Sequence, residues 1–142
     1  MVVAFCGHSD YLRAENDEKR ILEILEMLAK GEVLECWLGE YGGFDRFAYC
    51  CARRYKEKHP ETKLILVTPY INTLEVQKCR FDEILYPPIE HVPPKFAISH
   101  RNRWIAENAD FIIAYVIREF GGAYTMYQYA KRKKKEIFNI AL

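Results

Sequence analysis

A three-layer α/β sandwich with a mostly parallel central sheet is the fold that this sequence of 142 residues predicts. Three observations predict it. Short apolar runs recur along the chain without internal alternation, as strands buried on both faces do. Amphipathic stretches of helical period stand between them. Glycine-rich turns follow the runs, at the strand ends where open parallel sheets hold their ligands.

The elements follow in order. Val2 to Cys6 is the first strand. Ile21, Ile24, Leu25 and Leu28 keep the i, i+3, i+4, i+7 spacing of a helix that Gly31 can cap. Val33 to Leu38 is the second strand, and Gly39-Glu40-Tyr41-Gly42-Gly43 leads into a helix with the stripe Phe44, Phe47, Ala48, Cys51, Ala52 and Tyr55, which ends before Pro60. Lys63 to Thr68 is the third strand, closed by Pro69-Tyr70. Between residues 71 and 95 only Glu83 to Tyr86 reads as a strand. Pro87-Pro88 and Pro93-Pro94 bracket an extended loop, because proline disfavours helix in the residue before it. Phe96 to Asn108 reads as a helix and Asp110 to Val116 as a strand. A last helix opens at Gly121-Gly122, with Ala123, Met126, Tyr127 and Ala130 on one face, and Ile137 to Ile140 is the final strand. The alternation is that of a Rossmann-like architecture, expected as a single domain over residues 1–142 with no repeat or linker.

Composition narrows the function classes. Half the residues are apolar and 29% are charged, which suits a packed core, and the formal net charge is +1. That balance implies no broad attraction to nucleic acid or membrane, so neither is expected as a partner; only Lys131 to Lys135 is strongly basic, most simply as a solvated helix end. No apolar run approaches the ~20 residues of a bilayer span. The N-terminal run lacks a basic leader and is broken by Gly7-His8-Ser9-Asp10, so the expected compartment is the cytoplasm. Five scattered cysteines suggest no disulfide framework, and the four histidines show no metal-ligand spacing; neither metal nor cofactor is expected.

The residues that point to chemistry lie at strand ends. Gly7-His8-Ser9 leaves the first strand, Gly39 to Asp45 leaves the second, and Gly121-Gly122-Ala123 opens the last helix. Glycine lets backbone approach a ligand, and a helix N-terminus presents unpaired N–H groups with positive dipole charge. Together they predict a cradle for a phosphate-bearing, nucleotide-like small molecule. There is neither a Walker A sequence nor G-x-G-x-x-G, which disfavours ordinary ATPase and dehydrogenase readings. Arg101 falls on the inward stripe Ile98, Arg101, Ile105, beside Trp104 and followed by Asn102. An inward arginine needs a partner. Two readings stay open: a ligand phosphate or carboxylate, or an internal salt bridge with Asp110 or Asp45. His8 reads either as a phosphate or acid–base contact or as a local hydrogen-bonding residue. Tyr41, Phe44, Tyr70, Trp104 and Tyr124 stand near the loops, either to stack a base or as ordinary packing. Glu40 and Asp45 are the carboxylates nearest the second glycine loop. Aromatic residues near the Pro-rich loop permit a homodimer or higher homo-oligomer.

Three segments resemble the SLOG superfamily of Rossmann-like proteins, named for the DNA-processing protein A (Smf) and Lonely-guy families. They are Phe5-Cys6-Gly7-His8-Ser9, Leu38 to Asp45, and Arg101-Asn102-Arg103-Trp104 through Asp110 to Ala114 and Gly121-Gly122-Ala123-Tyr124. The resemblance covers nearly the whole chain. It implies binding of nucleotides or nucleic acid through the glycine loops. Lonely-guy enzymes hydrolyse the N-glycosidic bond of nucleoside monophosphates with an arginine and a P-G-G-x-G-T-x-x-E loop. Arg101 matches that arginine in its spacing to Asp110, and Gly121, Gly122 and Thr125 match the loop. Phe120, Tyr124 and Gln128 replace its proline, third glycine and glutamate. Glutamine cannot serve as a carboxylate base, so the resemblance favours a module that binds or sequesters a nucleotide derivative, of the NAD or ADP-ribose kind. An N-glycosidic hydrolase or transferase using Glu40, Asp45 and Arg101 is the first alternative, and a single-stranded DNA binder the second.

Overall fold

The computed structural model describes residues 1–72 and 74–142. Six strands form one sheet: β1 (Val2–Gly7), β2 (Glu35–Leu38), β3 (Lys63–Val67), β4 (Glu83–Leu85), β5 (Phe111–Tyr115) and β6 (Glu136–Asn139). Five helices join them: α1 (Asp17–Ala29), α2 (Gly43–Lys58), α3 (Glu75–Arg80), α4 (Ala97–Asn108) and α5 (Gly122–Arg132). The spatial order is β4-β3-β2-β1-β5-β6. Every pairing is parallel, so the sheet is fully and not merely mostly parallel.

Two apolar clusters cover the two faces. On one, α1 and α2 pack Ile21, Leu25, Phe44, Phe47 and Tyr55 against Val3, Phe5, Cys36 and Leu64. On the other, α4 and α5 pack Ile105, Ala106, Met126 and Ala130 against Ala4, Trp37, Ile65, Val67 and Ile112. Alternate residues of one strand serve opposite faces, which is why these strands read as continuous apolar runs. The α2 stripe read from the sequence is buried at all six positions.

Three expectations change. The helix α3 has no signature in the sequence, because none of its residues is buried and it carries no apolar stripe. The α4 stripe is Ala97, Arg101, Ile105 and Ala106, while Ile98 is 38% exposed. Finally, α1 ends with Lys30 itself in the left-handed region (φ 47°), followed by Gly31 (φ 84°), so the cap uses both residues.

The chain runs outward from β1 through β2 and β3 to β4, then crosses back through α4 to place β5 on the other side of β1. The strand order therefore reverses between β1 and β5. Adjacent loops diverge there at the C-terminal ends of the strands, leaving a crevice.

Candidate functional site at the β1–β5 switch point

A cavity of ≈ 240 Å³ occupies that crevice. Its walls include Gly7, His8 and Ser9 after β1, Gly39, Tyr41 and Asp45 after β2, Arg101 and Asn102 from α4, and Gly121, Gly122 and Ala123 at the start of α5. Residues about a hundred positions apart meet there because the parallel register of β1 and β5 pairs Gly7 with Tyr115.

His8 ties the two central loops together. Its backbone N–H donates to the Tyr115 carbonyl at 3.3 Å, and its Nε2 accepts from the Ile117 N–H at 2.9 Å. Accepting at Nε2 requires the neutral ring with its proton on Nδ1. Burial lowers the His8 pKa below its usual 6.5, the Arg118 charge lowers it further, and Asp10 opposes them. The folded state therefore resists protonation more than the unfolded chain does. The stability that His8 contributes is fully present above pH 6.5 and is lost as acidification proceeds from there toward the lowered folded value. Urea denaturation at pH 7.5 and pH 5.5 should show this loss, and His8→Gln should reduce it.

The two glycine loops that open helices differ in kind. In the second loop the Gly43 N–H donates to Ser9 O at 2.6 Å and the Phe44 N–H to His8 O at 3.3 Å. The N-terminus of α2 is thus already occupied by carbonyls of the β1 loop. A methyl group on Gly42 would stand 2.5 Å from Ser9 Cα, and one on Gly43 2.6 Å from Tyr11 O. These glycines, expected to touch ligand, lie outside the cavity wall and serve close backbone packing. Gly7 has a similar role, since a methyl group there would overlap the Phe44 ring. The third loop is open. Gly121 caps α5 in the left-handed region (φ 93°), with no side-chain cap, and a methyl on Gly121 or Gly122 would meet nothing within 4 Å. Gly122 and Ala123, the first residues of α5, line the cavity, and their N–H groups have no protein acceptor among the described residues.

Arg101 is 4% exposed. Its Nη1 donates to the Val67 carbonyl at 3.0 Å, and its Nε has no hydrogen-bond partner among the described residues. The Trp37 indole Nε1 is equally unpartnered, and both side chains line the cavity. Neither expected salt bridge forms. Asp110 lies at the other end of the sheet, where it accepts the Val2 N–H at 2.7 Å. Asp45 is close to Arg101 but accepts the Tyr41 N–H at 2.7 Å. Both crowd onto Gly39: a methyl there would lie 2.8 Å from Asp45 Oδ2 and 3.0 Å from Arg101 Nη1. Burial raises the Asp45 pKa, against the Tyr41 hydrogen bond and the Arg101 charge; burial lowers the Arg101 pKa, against Asp45.

The remaining candidates divide. Tyr41 reaches the mouth, its ring 5.5 Å from the Arg101 guanidinium. Tyr70 packs edge-on against Tyr41 but lies off the wall. Tyr124 turns away and accepts from Gln128 Nε2 at 2.5 Å. Phe44 is fully buried in the core, and Trp104 stacks on the back of Trp37 with ring centroids 5.1 Å apart. Glu40 is held off the cavity by Gln77 and by Arg80 at 3.2 Å, so Asp45 is the one carboxylate among the described wall residues.

Sequence reading missed Cys6, Trp37, Arg118 and Phe120 on the wall. Arg118 and Phe120 stand directly before Gly121 in a strand-end loop, a position that was available as a signal. Cys6 and Trp37 sit inside strands, where only the direction of the side chain decides. The Cys6 thiol, pushed by burial to about 12, donates to the Ala123 carbonyl at 3.3 Å and holds the α5 start against β1.

A parallel sheet with a glycine-lined cavity at its switch point defines the protein as a Rossmann-like α/β domain. The structure is similar to DNA processing protein A from Streptococcus pneumoniae (TM-score 0.64, 19% identity), covering 96% of this chain and 49% of that one. It is similar to DNA processing protein A from Helicobacter pylori, whose single-stranded DNA binding mode has been described (TM-score 0.63, 18% identity, 98% and 64% covered). It is also similar to the Moco carrier protein from Chlamydomonas reinhardtii (TM-score 0.62, 18% identity, 99% and 75% covered). The chain thus spans about half of the pneumococcal protein and under two thirds of the Helicobacter one. No protein-family profile and no curated protein sequence matches it. Among the described residues no helix is long and apolar enough to cross a membrane, and no group of three or more His, Cys, Asp or Glu is placed to hold a metal ion.

Proposed function

We propose that the cavity binds the phosphate-bearing part of a nucleotide-like ligand. One observation carries this reading. Arg101 and Trp37, whose buried Nε and Nε1 have no acceptor among the described residues, line the same cavity as the uncapped N-terminus of α5. A buried donor left unpaired costs about 1–3 kcal/mol, and a phosphate offers several acceptor oxygens with a charge that suits both the guanidinium and the helix dipole. Tyr41 at the mouth supplies a ring for a base.

The neighbours support the coarser statement that domains of this fold bind ligands: one binds single-stranded DNA and another is named as the carrier of Moco. They do not uphold the expectation against nucleic acid, which rested on net charge alone.

Calorimetric titration with AMP, NAD and ADP-ribose tests the reading. Saturable binding is expected for at least one of them. Gly122→Ala should weaken it about tenfold by putting a methyl where the phosphate approaches backbone, with the thermal midpoint unchanged because that methyl meets no protein atom within 4 Å. If nothing binds at millimolar concentration, the proposal fails. A second reading, cleavage of a glycosidic bond, draws on Asp45, which burial keeps readier to hold a proton than an ordinary carboxyl. Release of free base that Asp45→Asn abolishes would establish it.

A further inference from the structure

The loop between β5 and α5, residues 116–121, supplies Arg118, Phe120 and Gly121 to the cavity wall. Little holds it in place. Among the described residues the peptide N–H groups of Arg118, Glu119, Phe120 and Gly121 make no hydrogen bond, and no helix or strand includes these residues. At its start Val116 exchanges two hydrogen bonds with the Asn139 side chain, and the Ile117 N–H donates to His8 Nε2. The remaining tether is an ion pair, in which Arg118 Nη2 donates to Asp10 Oδ1 at 2.6 Å.

That ion pair is weak and oddly placed. The Asp10 side chain is 67% exposed and the Arg118 side chain 31%. Water screens such a pair, which contributes at most about a fivefold factor to an equilibrium constant. Among the described ion pairs it alone has a cation that lines the cavity, while its acid, Asp10, stands outside the wall. The Arg118 charge is therefore neutralised from outside the site. The Phe120 ring centroid lies 5.3 Å from the Arg118 guanidinium carbon, so release from Asp10 leaves the guanidinium a contact. Arg118 also shares its wall with the open N-terminus of α5 at Gly122 and Ala123. A phosphate held there is a stronger partner than Asp10. A phosphate monoester or a pyrophosphate carries about two negative charges near neutral pH and three or more strong acceptor oxygens, against the single charge of a carboxylate. Arginine meets such oxygens with two parallel N–H donors.

We propose that Arg118 is an exchangeable anion contact of the cavity: a ligand phosphate at the α5 N-terminus displaces Asp10 from it, so that Asp10 competes with the ligand for the arginine. The proposal rests on the reading of the cavity as a phosphate site. A monoanionic carboxylate ligand gains no charge in that exchange, so the competition also selects for phosphate. Calorimetric titration of AMP, NAD and ADP-ribose into the native chain and into the Asp10→Asn, Arg118→Ala and doubly substituted variants tests it. Neither position is buried, and thermal midpoints check that each variant folds. For the ligand that binds, Asp10→Asn should raise affinity about two- to fivefold, the share that the ion pair withholds. Arg118→Ala should lower affinity about tenfold. Adding Asp10→Asn to Arg118→Ala should then change affinity by less than about twofold, because no arginine is left to release. Glu119→Gln is the control. It removes a negative charge from the same exposed loop, where Glu119 makes no ion pair among the described residues, and should shift affinity by less than about twofold. Affinity unchanged or lowered in Asp10→Asn would overturn the exchange and leave the cavity reading standing. So would a gain that persists in full without Arg118, or one that Glu119→Gln matches, since either outcome is simple repulsion between acid and phosphate. Failure of all three ligands to bind the native chain and every variant would overturn the exchange and the cavity reading together.

Discussion

Arg101→Ala should weaken nucleotide binding by about ten- to a hundredfold, the equivalent of one or two charge-assisted hydrogen bonds to phosphate. Stability should change far less, by about 1–2 kcal/mol in either direction. The alanine removes a desolvated charge that has no salt-bridge partner among the described residues, at the expense of the bond to the Val67 carbonyl and of some packing. Those contributions oppose each other, whereas in the complex the guanidinium has no substitute. Arg101→Lys should recover little of the binding, because an ammonium cannot serve the Val67 carbonyl and a ligand oxygen with a planar fork. Calorimetry on urea-characterised variants separates the two effects. Affinity unchanged in Arg101→Ala would remove Arg101 from the site.

Gly42→Ala should be the most damaging single methyl among the site glycines. It combines a φ of 115°, which L side chains rarely adopt, with overlap onto the Ser9 backbone 2.5 Å away. Strain at such a φ costs about 1–3 kcal/mol, and forcing atoms into a packed contact costs a further ~1–3 kcal/mol. A loss of about 3 kcal/mol or more follows, with a fall of about 10 °C in thermal midpoint for a chain of this size. Gly31→Ala is the control: φ is also positive (84°), but no atom lies within 4 Å of the added methyl. It should cost only about 1 kcal/mol, the strain of the left-handed backbone alone. Equal losses at the two positions would show that the α2 start does not pack on the β1 loop as described.

The site glycines also separate what local pattern reveals from what it hides. Gly42-Gly43 and Gly121-Gly122 look alike as sequence, each opening a helix after a strand. One pair is consumed by contact with Ser9 and Tyr11, and the other faces a cavity. The difference is set by residues more than thirty positions away, so no local reading could make it. Arg101 was legible as an inward charge because helical period alone turns it toward the sheet. Its lack of an ionic partner was not, because that depends on where Asp45 and Asp110 fall in space. Trp37 was invisible as a site residue, since in a buried strand both faces are apolar and neither is marked as the cavity side.

The sequence by itself determined the alternation of strands and helices apart from α3, the six-residue stripe of α2, and the placement of the glycine loops at strand ends, because each follows from hydrophobic period and turn chemistry over a few residues. The all-parallel order β4-β3-β2-β1-β5-β6, the switch between β1 and β5, and the choice of the α5 start as the open helix end were decided only in the tertiary structure. They arise from the pairing of Gly7 with Tyr115 and the packing of Gly42 on Ser9. Such contacts join distant segments whose meeting is selected by burial over the whole sheet, and no short stretch of chain encodes it.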